Sequence, residues 1–275
     1  MALPASFLTD FNQSGKLEGK PKDGYGIYDA TATQYYPIGT TLELHGRTWR
    51  YCRAAEAITL PHRGAPNLVY YPWVATSLYS AKGQETNSRH ITAAGEKKMT
   101  LEFIDAYPLD ASPYAFGKKN FLAGGYANIF FDTNLIATMR ITGSDVPVVD
   151  AVTATNSDMV IYFDEPLPTA IVLASHVDVY PSPYMCIGAS GSGNGWSSFV
   201  VVPPCAVTAD YFFWGQTKGP CWVTPTAGIT ATGQREVAFH NDGTIKVHAA
   251  GLQRAGYIIY KGDNTQDDAT IMLDI

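Results

Sequence analysis

Apolar and polar residues alternate along this chain in short runs, and almost no stretch repeats with the 3.6-residue period of an amphipathic helix. The runs are rich in β-branched and aromatic residues, and clusters of Gly, Pro, Asn and Asp separate them. This pattern is typical of β-strands joined by turns. We therefore predict an all-β protein, built as one β-sandwich or barrel-like domain or as two small β units, with an extended N-terminal arm.

The first hairpin is predicted in TTLELHGRTWRYC, residues 40–52. A two-residue turn at 45–46 pairs Leu42 with Trp49 and collects the apolar side chains on one face. The opposite face is polar, so Arg50 is expected at the surface. This register is self-consistent because it gives one apolar face and one polar, solvent-exposed face.

The second hairpin is predicted in REVAFHNDGTIKVHAAG, residues 235–251. A two-residue loop would set Phe239 against Lys246. A three-residue loop at 241–243 instead pairs Phe239 with Ile245, and it places its glycine where a left-handed backbone is needed. We therefore predict the three-residue loop. Further strands are predicted within MTLEFIDAY, YANIFFDT, MRITG, MVIYFDE, AIVLASHVDVY, SFVVV, YFFWGQT and the two ends of GYIIYKGDNTQDDATIMLDI.

The segment YFFWGQTKGPCWV, residues 211–223, holds five aromatic rings. We predict two strands here, joined by a short turn at 218–220. Alternation puts rings on both faces of the first strand, so both faces are expected to be buried, one in the core and the other against a second sheet or another subunit. The candidate interface residues in this segment are Tyr211, Phe212, Phe213 and Trp214.

Residues 1–33 are polar, rich in Gly, Lys and Asp, and carry no alternating strand pattern. They have too little apolar surface to offset the conformational entropy that is lost when a segment becomes ordered. If the arm is ordered, it must therefore pack against another surface. We expect the arm to lie extended across a neighbouring subunit, and the alternative is an edge strand on its own domain. The docking residues would be Leu3, Phe7, Leu8 and Phe11. The remainder is predicted to form a β-rich subdomain at 34–110 and a β-rich domain at 111–275.

Composition narrows the classes of partner. Charged residues make up 16% of the chain and the net charge is −6, against about 25% charged residues in an average globular protein. No block of Lys or Arg provides a surface for nucleic acid. No apolar run is long enough to span a membrane, and the first twenty residues do not have the pattern of a secretory signal. We expect a protein made in a cytoplasm, with neither nucleic acid nor a membrane as partner.

Candidate chemistry is sparse. His240 and His248 share the polar face of the second hairpin, but four strand residues, about 13 Å, separate them, which is too far for one metal ion. GASGSGNGW, residues 188–196, precedes a strand rather than a helix and matches no phosphate-binding motif. The carboxylates at 164–165 mark a strand end, and DNTQDD, residues 263–268, lacks the Gly and Glu of a calcium loop. We expect no catalytic residue, no metal and no cofactor.

The cysteines occur singly, with no C-x-x-C spacing, at Cys52, Cys186, Cys205 and Cys221. Nothing in the sequence marks an oxidising destination, so we expect buried free thiols. A disulfide between Cys205 and Cys221 is the main alternative.

Several segments carry a resemblance to a known family. YPIGTTLELHGRTWRYCRA, residues 36–54, resembles the opening hairpin of structural proteins from tailed-phage heads, with its Y-P-x-G-T entry and its aromatic R-Y strand. FDEPLPTAI with VDVYPSPY, and then VTADYFFWGQTKGPCWV, resemble later blocks of the same proteins. The terminal DGTIKVHAAGLQRAGYIIYKGD and ATIMLDI are similar to the β-rich C-terminal part of lambda-type capsid decoration proteins.

The resemblance implies a non-enzymatic capsid decoration or cement protein of a bacteriophage virion, located on the capsid surface. It further implies a homotrimer bound to the major capsid protein, made in the host cytoplasm. The chain departs from the short decoration proteins by its length and by its N-terminal segment. No functional residue carries over individually, because such proteins act through surfaces.

Two other classes of function remain open. One is a carbohydrate-binding or tail-fibre adhesin module, with Trp196, Trp214 or Trp222 as exposed stacking platforms. The other is a polysaccharide-degrading enzyme whose carboxylates are assembled by the fold. Buried tryptophans would favour the cement protein, whereas exposed coplanar rings beside acids would favour glycan binding.

Overall fold

In a computed structural model of the chain, the described residues are 16–18, 26–69, 80–82, 92–103, 118–131, 135–149, 157–172, 175–192, 197–226, 229, 233, 235–260 and 270–275. They form strands, turns and bends without any helix, so none of them belongs to a helix that could cross a membrane. The all-β prediction is confirmed. The strands are β1 (Lys16–Glu18), β2 (Thr41–Leu44), β3 (Arg47–Arg53), β4 (Ala65–Pro66), β5 (Ser80–Lys82), β6 (Lys98–Phe103), β7 (Tyr126–Phe130), β8 (Ile136–Ser144), β9 (Val148–Val149), β10 (Ser157–Phe163), β11 (His176–Tyr180), β12 (Phe199–Val201), β13 (Phe212–Trp222), β14 (Glu236–Phe239), β15 (Ile245–Val247), β16 (Arg254–Tyr260) and β17 (Thr270–Asp274).

The strands fall into two compact units. The first unit combines Met1–Tyr70 with Tyr184–Ile275, and the second unit is Tyr71–Pro183. The first contains an eight-stranded sheet in the order β1-β2-β3-β13-β17-β16-β14-β15, together with the two-stranded sheet β12-β4. The second contains a sheet in the order β5-β11-β7-β8-β10-β6, with β9 paired to β10.

This grouping differs from consecutive subdomains at 34–110 and 111–275. Strand β6, which precedes residue 110, pairs along its length with β10. Strand β3 also precedes residue 110, and it pairs with β13. Long-range pairing therefore joins segments that lie far apart in sequence, while the predicted boundary at 110–111 itself lies outside the described residues.

The first hairpin is confirmed. Leu42 pairs with Trp49, and the two turn residues His45 and Gly46 have φ angles of 51° and 73°. Positive φ at both positions is the geometry of a type I′ turn, whose twist matches that of the flanking strands.

Arg50 is half-buried rather than at the surface. Its guanidinium donates hydrogen bonds to the carbonyl of Gly39, at 3.1 Å, and to the hydroxyl of Thr41. It also lies over the ring of Tyr184, 5.5 Å from the centroid. The face that alternation predicts to be wet is therefore partly covered by a segment distant in sequence.

The second hairpin is also confirmed, with the three-residue loop. Phe239 pairs with Ile245, and Val237 pairs with Val247. The backbone amide of His240 donates to the carbonyl of Thr244 at 2.7 Å, which closes the loop at 241–243. The glycine of this loop has a φ of 76°, as the loop length requires.

The prediction of two strands and a turn in residues 211–223 is wrong. Phe212–Trp222 is one continuous strand, β13, in which Lys218 and Pro220 pair with β17. The pairs with β3 end at Lys218, so β13 has no partner on that edge at Pro220. The missing N–H of the proline therefore breaks no pair with β3. Gly219 has a φ of 93°, and a Cβ there would lie 2.4 Å from the carbonyl oxygen of Gly46. The glycine of the predicted turn therefore allows β13 to approach the backbone at Gly46 closely.

A β-bulge divides β13 into two halves. Gln216 pairs with Trp49 and Lys218 pairs with the adjacent Thr48, so Thr217 is the extra residue. A one-residue slip exchanges the faces of a strand, because side chains alternate with period two. Beyond the bulge, Lys218, Pro220 and Trp222 consequently point away from the side on which Trp214 lies.

Both faces of the first half of β13 are buried, as predicted, and parts of the same unit cover both. Trp214 packs with Trp49 and Tyr51 in one cluster. Phe213 packs in a second cluster with Cys52 and Val201. The choice left open between a second sheet and another subunit is thus settled in favour of the chain's own segments.

The side chain of Gln216 stabilises the bulge. It is buried, and its Nε2 donates to the carbonyls of Lys218 and Pro220 at 3.1 and 2.9 Å. Thr217 donates through its hydroxyl to the carbonyl of Thr48 at 3.3 Å. The carbonyls of Lys218 and Pro220, just beyond the bulge, therefore have a side-chain donor as a hydrogen-bond partner.

The arm is described only in part. Lys16–Glu18 forms β1 and pairs in parallel with β2 of the same chain, as in the edge-strand alternative. Thr31 exchanges two backbone hydrogen bonds with Phe212, at 2.9 and 2.8 Å. The predicted docking residues Leu3, Phe7, Leu8 and Phe11 lie outside the described residues.

The buried Trp49 of β3 and the exposed Trp222 of β13 predict different costs for the same substitution. Trp49→Ala should lower the free energy of unfolding by about 3–5 kcal/mol, because it leaves a cavity beside Trp214. Trp222→Ala, beyond the bulge, should cost about 1 kcal/mol or less. Urea denaturation measures both, and equal losses would contradict the assigned faces.

Gln216→Met should lower the free energy of unfolding by about 1–3 kcal/mol, since it keeps the side-chain volume but removes two hydrogen bonds, each worth about 0.5–1.5 kcal/mol. Gln34→Met is the matched control, because Gln34 is exposed and donates only to the carbonyl of Tyr36. Denaturation midpoints that fall equally for the two variants would show that Gln216 does not stabilise the bulge.

Candidate interaction surface

The second half of β13 places a tryptophan on an exposed sheet face. Trp222 pairs with Thr270 of β17, and Thr270 pairs on its other side with Tyr260 of β16. The three residues therefore form one row across three strands. Trp222 is 36% exposed and Tyr260 is 68% exposed, so both rings lie at the surface of the first unit.

A second row lies two residues along β13 and β17, about 7 Å away. Met272 pairs with Pro220 on one side and with Tyr257 on the other. Tyr257 is 44% exposed, and Pro220 is exposed as well. We call the two rows together the aromatic face, which consists of Pro220, Trp222, Tyr257, Tyr260, Thr270 and Met272.

The opposite side of the same strands explains why these residues face outward. Cys221, Ile271 and Leu273 alternate with them along β13 and β17 and are buried in one hydrophobic cluster with Phe239 and Ile245. Because side chains alternate between the two sides of a strand, the residues between these core residues point to the opposite side of the sheet. The aromatic face is the outer side of a sheet whose inner side is a packed core.

Charged pairs border the aromatic face. Lys218 lies 3.7 Å from Asp274 on neighbouring strands, and Arg254 lies 3.5 Å from Glu236. All four side chains are more than half exposed, so each pair is worth only about 0–1 kcal/mol of stability. Their effect is to surround an apolar patch with polar groups.

His62 flanks the same face. Its ring packs edge-on against Trp222, with centroids 5.2 Å apart and an interplanar angle of 72°. Partial burial lowers the pKa of His62 below its usual value. The side chain therefore contributes a neutral aromatic edge near pH 7.

The four predicted interface residues of β13 and its start lie elsewhere. Phe213 and Trp214 are buried inside the first unit, which leaves neither ring for a partner. Tyr211 and Phe212 are half-buried, and Phe212 stacks on Tyr51 at 6.0 Å between centroids. A role in an interface therefore remains a prediction only for Tyr211 and Phe212.

Sequence reasoning missed the tyrosines of β16 for a physical reason. Tyr257 and Tyr260 are three residues apart, a spacing that puts them on opposite faces of a regular strand. The register shifts between Ile258 and Tyr260, and this irregularity brings both tyrosines to the outer face. The segment GYIIY shows two aromatic residues but carries no signal for the shift.

Among the tryptophans proposed as stacking platforms, only Trp222 is shown on the surface. Trp214 is 2% exposed, so it is excluded as a platform. Trp196 lies outside the described residues.

The other sequence motifs assemble no site in the described part of the chain. The His240 Nδ1 lies 3.0 Å from the carboxylate of Asp242, within the hairpin loop. The backbone N–H of His248 donates to the backbone carbonyl of Glu236, so His248 lies opposite Glu236 as predicted. No three His, Cys, Asp or Glu side chains among the described residues approach closely enough to hold a metal ion.

All four cysteines are free thiols, so the alternative of a Cys205–Cys221 disulfide is wrong. Burial raises the pKa of both Cys186 and Cys221 to about 12, and it raises the pKa of Cys52 as well. Cys205 is half-buried, and its pKa is raised by burial and then by the negative charge of Asp29.

Thiol reactivity should follow this burial. Only the thiolate is nucleophilic, and a raised pKa lowers the thiolate fraction at pH 8. Iodoacetamide at pH 8 should therefore alkylate Cys205 before Cys52, Cys186 and Cys221 in the native protein, and all four rapidly in urea. Peptide mass spectrometry reads each site, and rapid native alkylation of Cys52 would contradict the assigned core.

No protein-family model matches this chain, no curated protein is significantly similar to it, and no solved structure matches its fold significantly. What the chain does must therefore be inferred from its own residues.

Proposed function

We infer that the chain is a non-enzymatic structural protein of a tailed-phage virion, a capsid decoration or cement protein that binds neighbouring subunits through the aromatic face. The observation that carries this proposal is the cluster of Trp222, Tyr257, Tyr260 and Met272 on the outer side of a sheet. Trp, Tyr and Met are enriched in protein interfaces relative to the rest of the surface.

The arrangement of the face supports a protein partner. Its centre contains the apolar side chains of Met272 and Pro220, and its borders contain the exposed charged pairs at 218 with 274 and at 236 with 254. An apolar centre with a polar rim is the usual anatomy of a protein interface. Exposed aromatic residues at such a centre are the type that contributes most binding energy.

The resemblance of residues 36–54 and of the C-terminal blocks to phage head proteins suggests the partners. A homotrimer on the major capsid protein would use the aromatic face against a different surface of the next subunit, since a three-fold ring is built from heterologous contacts. The low charge of the chain, 16% of its residues, fits a protein that works by burying surface between subunits.

Binding to phage heads tests the proposal. Heads purified without this chain are mixed with the purified protein, pelleted, and assayed for bound protein. The wild type should bind saturably, and the double variant Trp222→Ala with Tyr260→Ala should bind at least about tenfold more weakly, since hot-spot rings each contribute about 2 kcal/mol or more.

Tyr28→Ala is the matched control, because Tyr28 is 58% exposed in the first unit and lies outside the aromatic face. It should bind like the wild type. Absence of saturable binding by the wild type would overturn the decoration function. Saturable binding that the double variant retains would overturn the role of the aromatic face.

A further inference from the structure

The aromatic face lies at one end of the eight-stranded sheet, beyond the turn of the first hairpin. The pairs between β13 and β3 end at Lys218, which lies opposite Thr48. Strand β13 continues past this point through Pro220 and Trp222, and both residues pair with β17. The two rows of the face are therefore built where these strands extend past the hairpin.

The N-terminal arm joins the same sheet at the opposite end. Strand β1 lies at the sheet edge and runs parallel to β2, with Lys16 opposite Thr41. Thr41 pairs with Arg50, and Arg50 pairs with Gly215 of β13. Because β1 runs towards the hairpin turn, Lys16 is the end of β1 that lies farther from the aromatic face. Residues 1–15 are connected to the sheet at that end.

The distance from Lys16 to the aromatic face is long compared with the reach of the arm. Tyr257 of β16 lies five strand positions from β1 and, allowing for the bulge, about four residues beyond the level of Gly215. At about 4.8 Å between strands and 3.3 Å per residue, the separation is about 27 Å. Five fully extended residues span at most about 18 Å. To place Phe11 on the face, the arm of the same chain would have to reverse its direction at Lys16 and remain almost fully extended.

The arm contains the side chains that an apolar surface binds. Residues 1–15 carry one charged side chain, that of Asp10. The other charged residues of the arm follow within 16–33. The large apolar side chains that precede β1 include those of Leu3, Phe7, Leu8 and Phe11. The segment before β1 is therefore the apolar part of the arm.

The exposed centre of the aromatic face matches this segment. Tyr257 and Tyr260 are exposed, and Met272 is half-buried in the row of Tyr257. The charged pairs lie at the border of the face and not at its centre. Apolar side chains of an arm can therefore leave water at this centre without burying a charge.

We propose that residues 1–15 of one copy bind to the aromatic face of a second copy, where their apolar side chains pack against Tyr257, Tyr260 and Met272. Such a contact joins two different surfaces, so it is heterologous and can close a ring of subunits. The inference rests on the proposed role of the aromatic face as a contact between subunits, and it names the segment that occupies the face. One short segment binds weakly, so the contact forms between concentrated or neighbouring copies, whose effective concentration is on the order of 1 mM.

Photo-cross-linking of the full chain tests this contact. Phe7 is replaced by p-benzoylphenylalanine, and light and heavy-isotope-labelled chains are mixed in equal amounts at about 0.5 mM, near the effective concentration of neighbouring copies. After illumination and digestion with trypsin, peptide 1–16 should be joined to peptide 255–261, which contains both tyrosines. Cross-linked pairs of one light and one heavy peptide identify a contact between two copies.

Tyr257→Ala with Tyr260→Ala should lower the yield of the mixed cross-link at least about tenfold, since aromatic residues at the centre of an interface contribute most of its binding energy. Tyr28→Ala is the matched control, because Tyr28 is exposed in the first unit and lies outside the aromatic face. It should keep the yield of the unaltered face. The proposal is overturned if position 7 forms no cross-link to the face, if only pairs of equal isotope form, or if the double variant retains the yield.

The assay with phage heads distinguishes this inference from the proposed function. Saturable binding to heads without mixed cross-links would retain the capsid function and overturn the contact between arm and face. Mixed cross-links that form without any binding to heads would retain this contact and overturn the capsid function.

Discussion

The bulge in β13 is the constraint on which the rest of the first unit depends. Gln216 and Lys218 oppose adjacent residues of β3, so one strand supplies Trp214 to one side of the sheet and Trp222 to the other. The buried amide of Gln216 bonds the carbonyls of Lys218 and Pro220. A polar side chain in the core therefore determines which aromatic residues are packed and which are exposed.

The hairpins were predictable because their signals are local. In 40–52 the alternation of apolar residues and the turn at 45–46 agree on a single register, and the structure has that register. In 235–251 the pairing of Phe239 excludes the two-residue loop. Both inferences use residues close in sequence, where turn geometry and side-chain alternation leave little freedom.

The failures have a common origin in long-range packing. Lys218, Gly219 and Pro220 have the composition of a turn, yet β17 pairs with them and holds them in a strand. The outward position of Tyr260 likewise depends on a register shift against β17. Tertiary pairing overrides local propensity at such positions, so the two hairpins could be predicted from the sequence, whereas the second half of β13 and the candidate surface could not.

The outer sheet faces of the two units carry different side chains although both belong to β-sheets of one chain. On β13, β17 and β16 the exposed rings surround Met272 and Pro220, which have no side-chain hydrogen-bonding group to offer a hydroxylated ligand. On β7 the exposed ring of Tyr126 is followed on the same face by Asn128. What each face could bind depends on these side chains rather than on the fold itself.

Oxidative footprinting of Trp214 and Trp222 tests the central claim most directly, since the two rings are eight residues apart on one strand. Hydroxyl radicals should label Trp222 readily in the free protein and leave Trp214 protected, because the bulge sends them to opposite sides and only Trp214 is enclosed. Under the proposed capsid function, the labelling of Trp222 should fall in purified phage heads that carry this chain, because neighbouring subunits would cover the aromatic face. Equal protection of both tryptophans in the free protein, or unchanged labelling of Trp222 in the particle, would contradict the account.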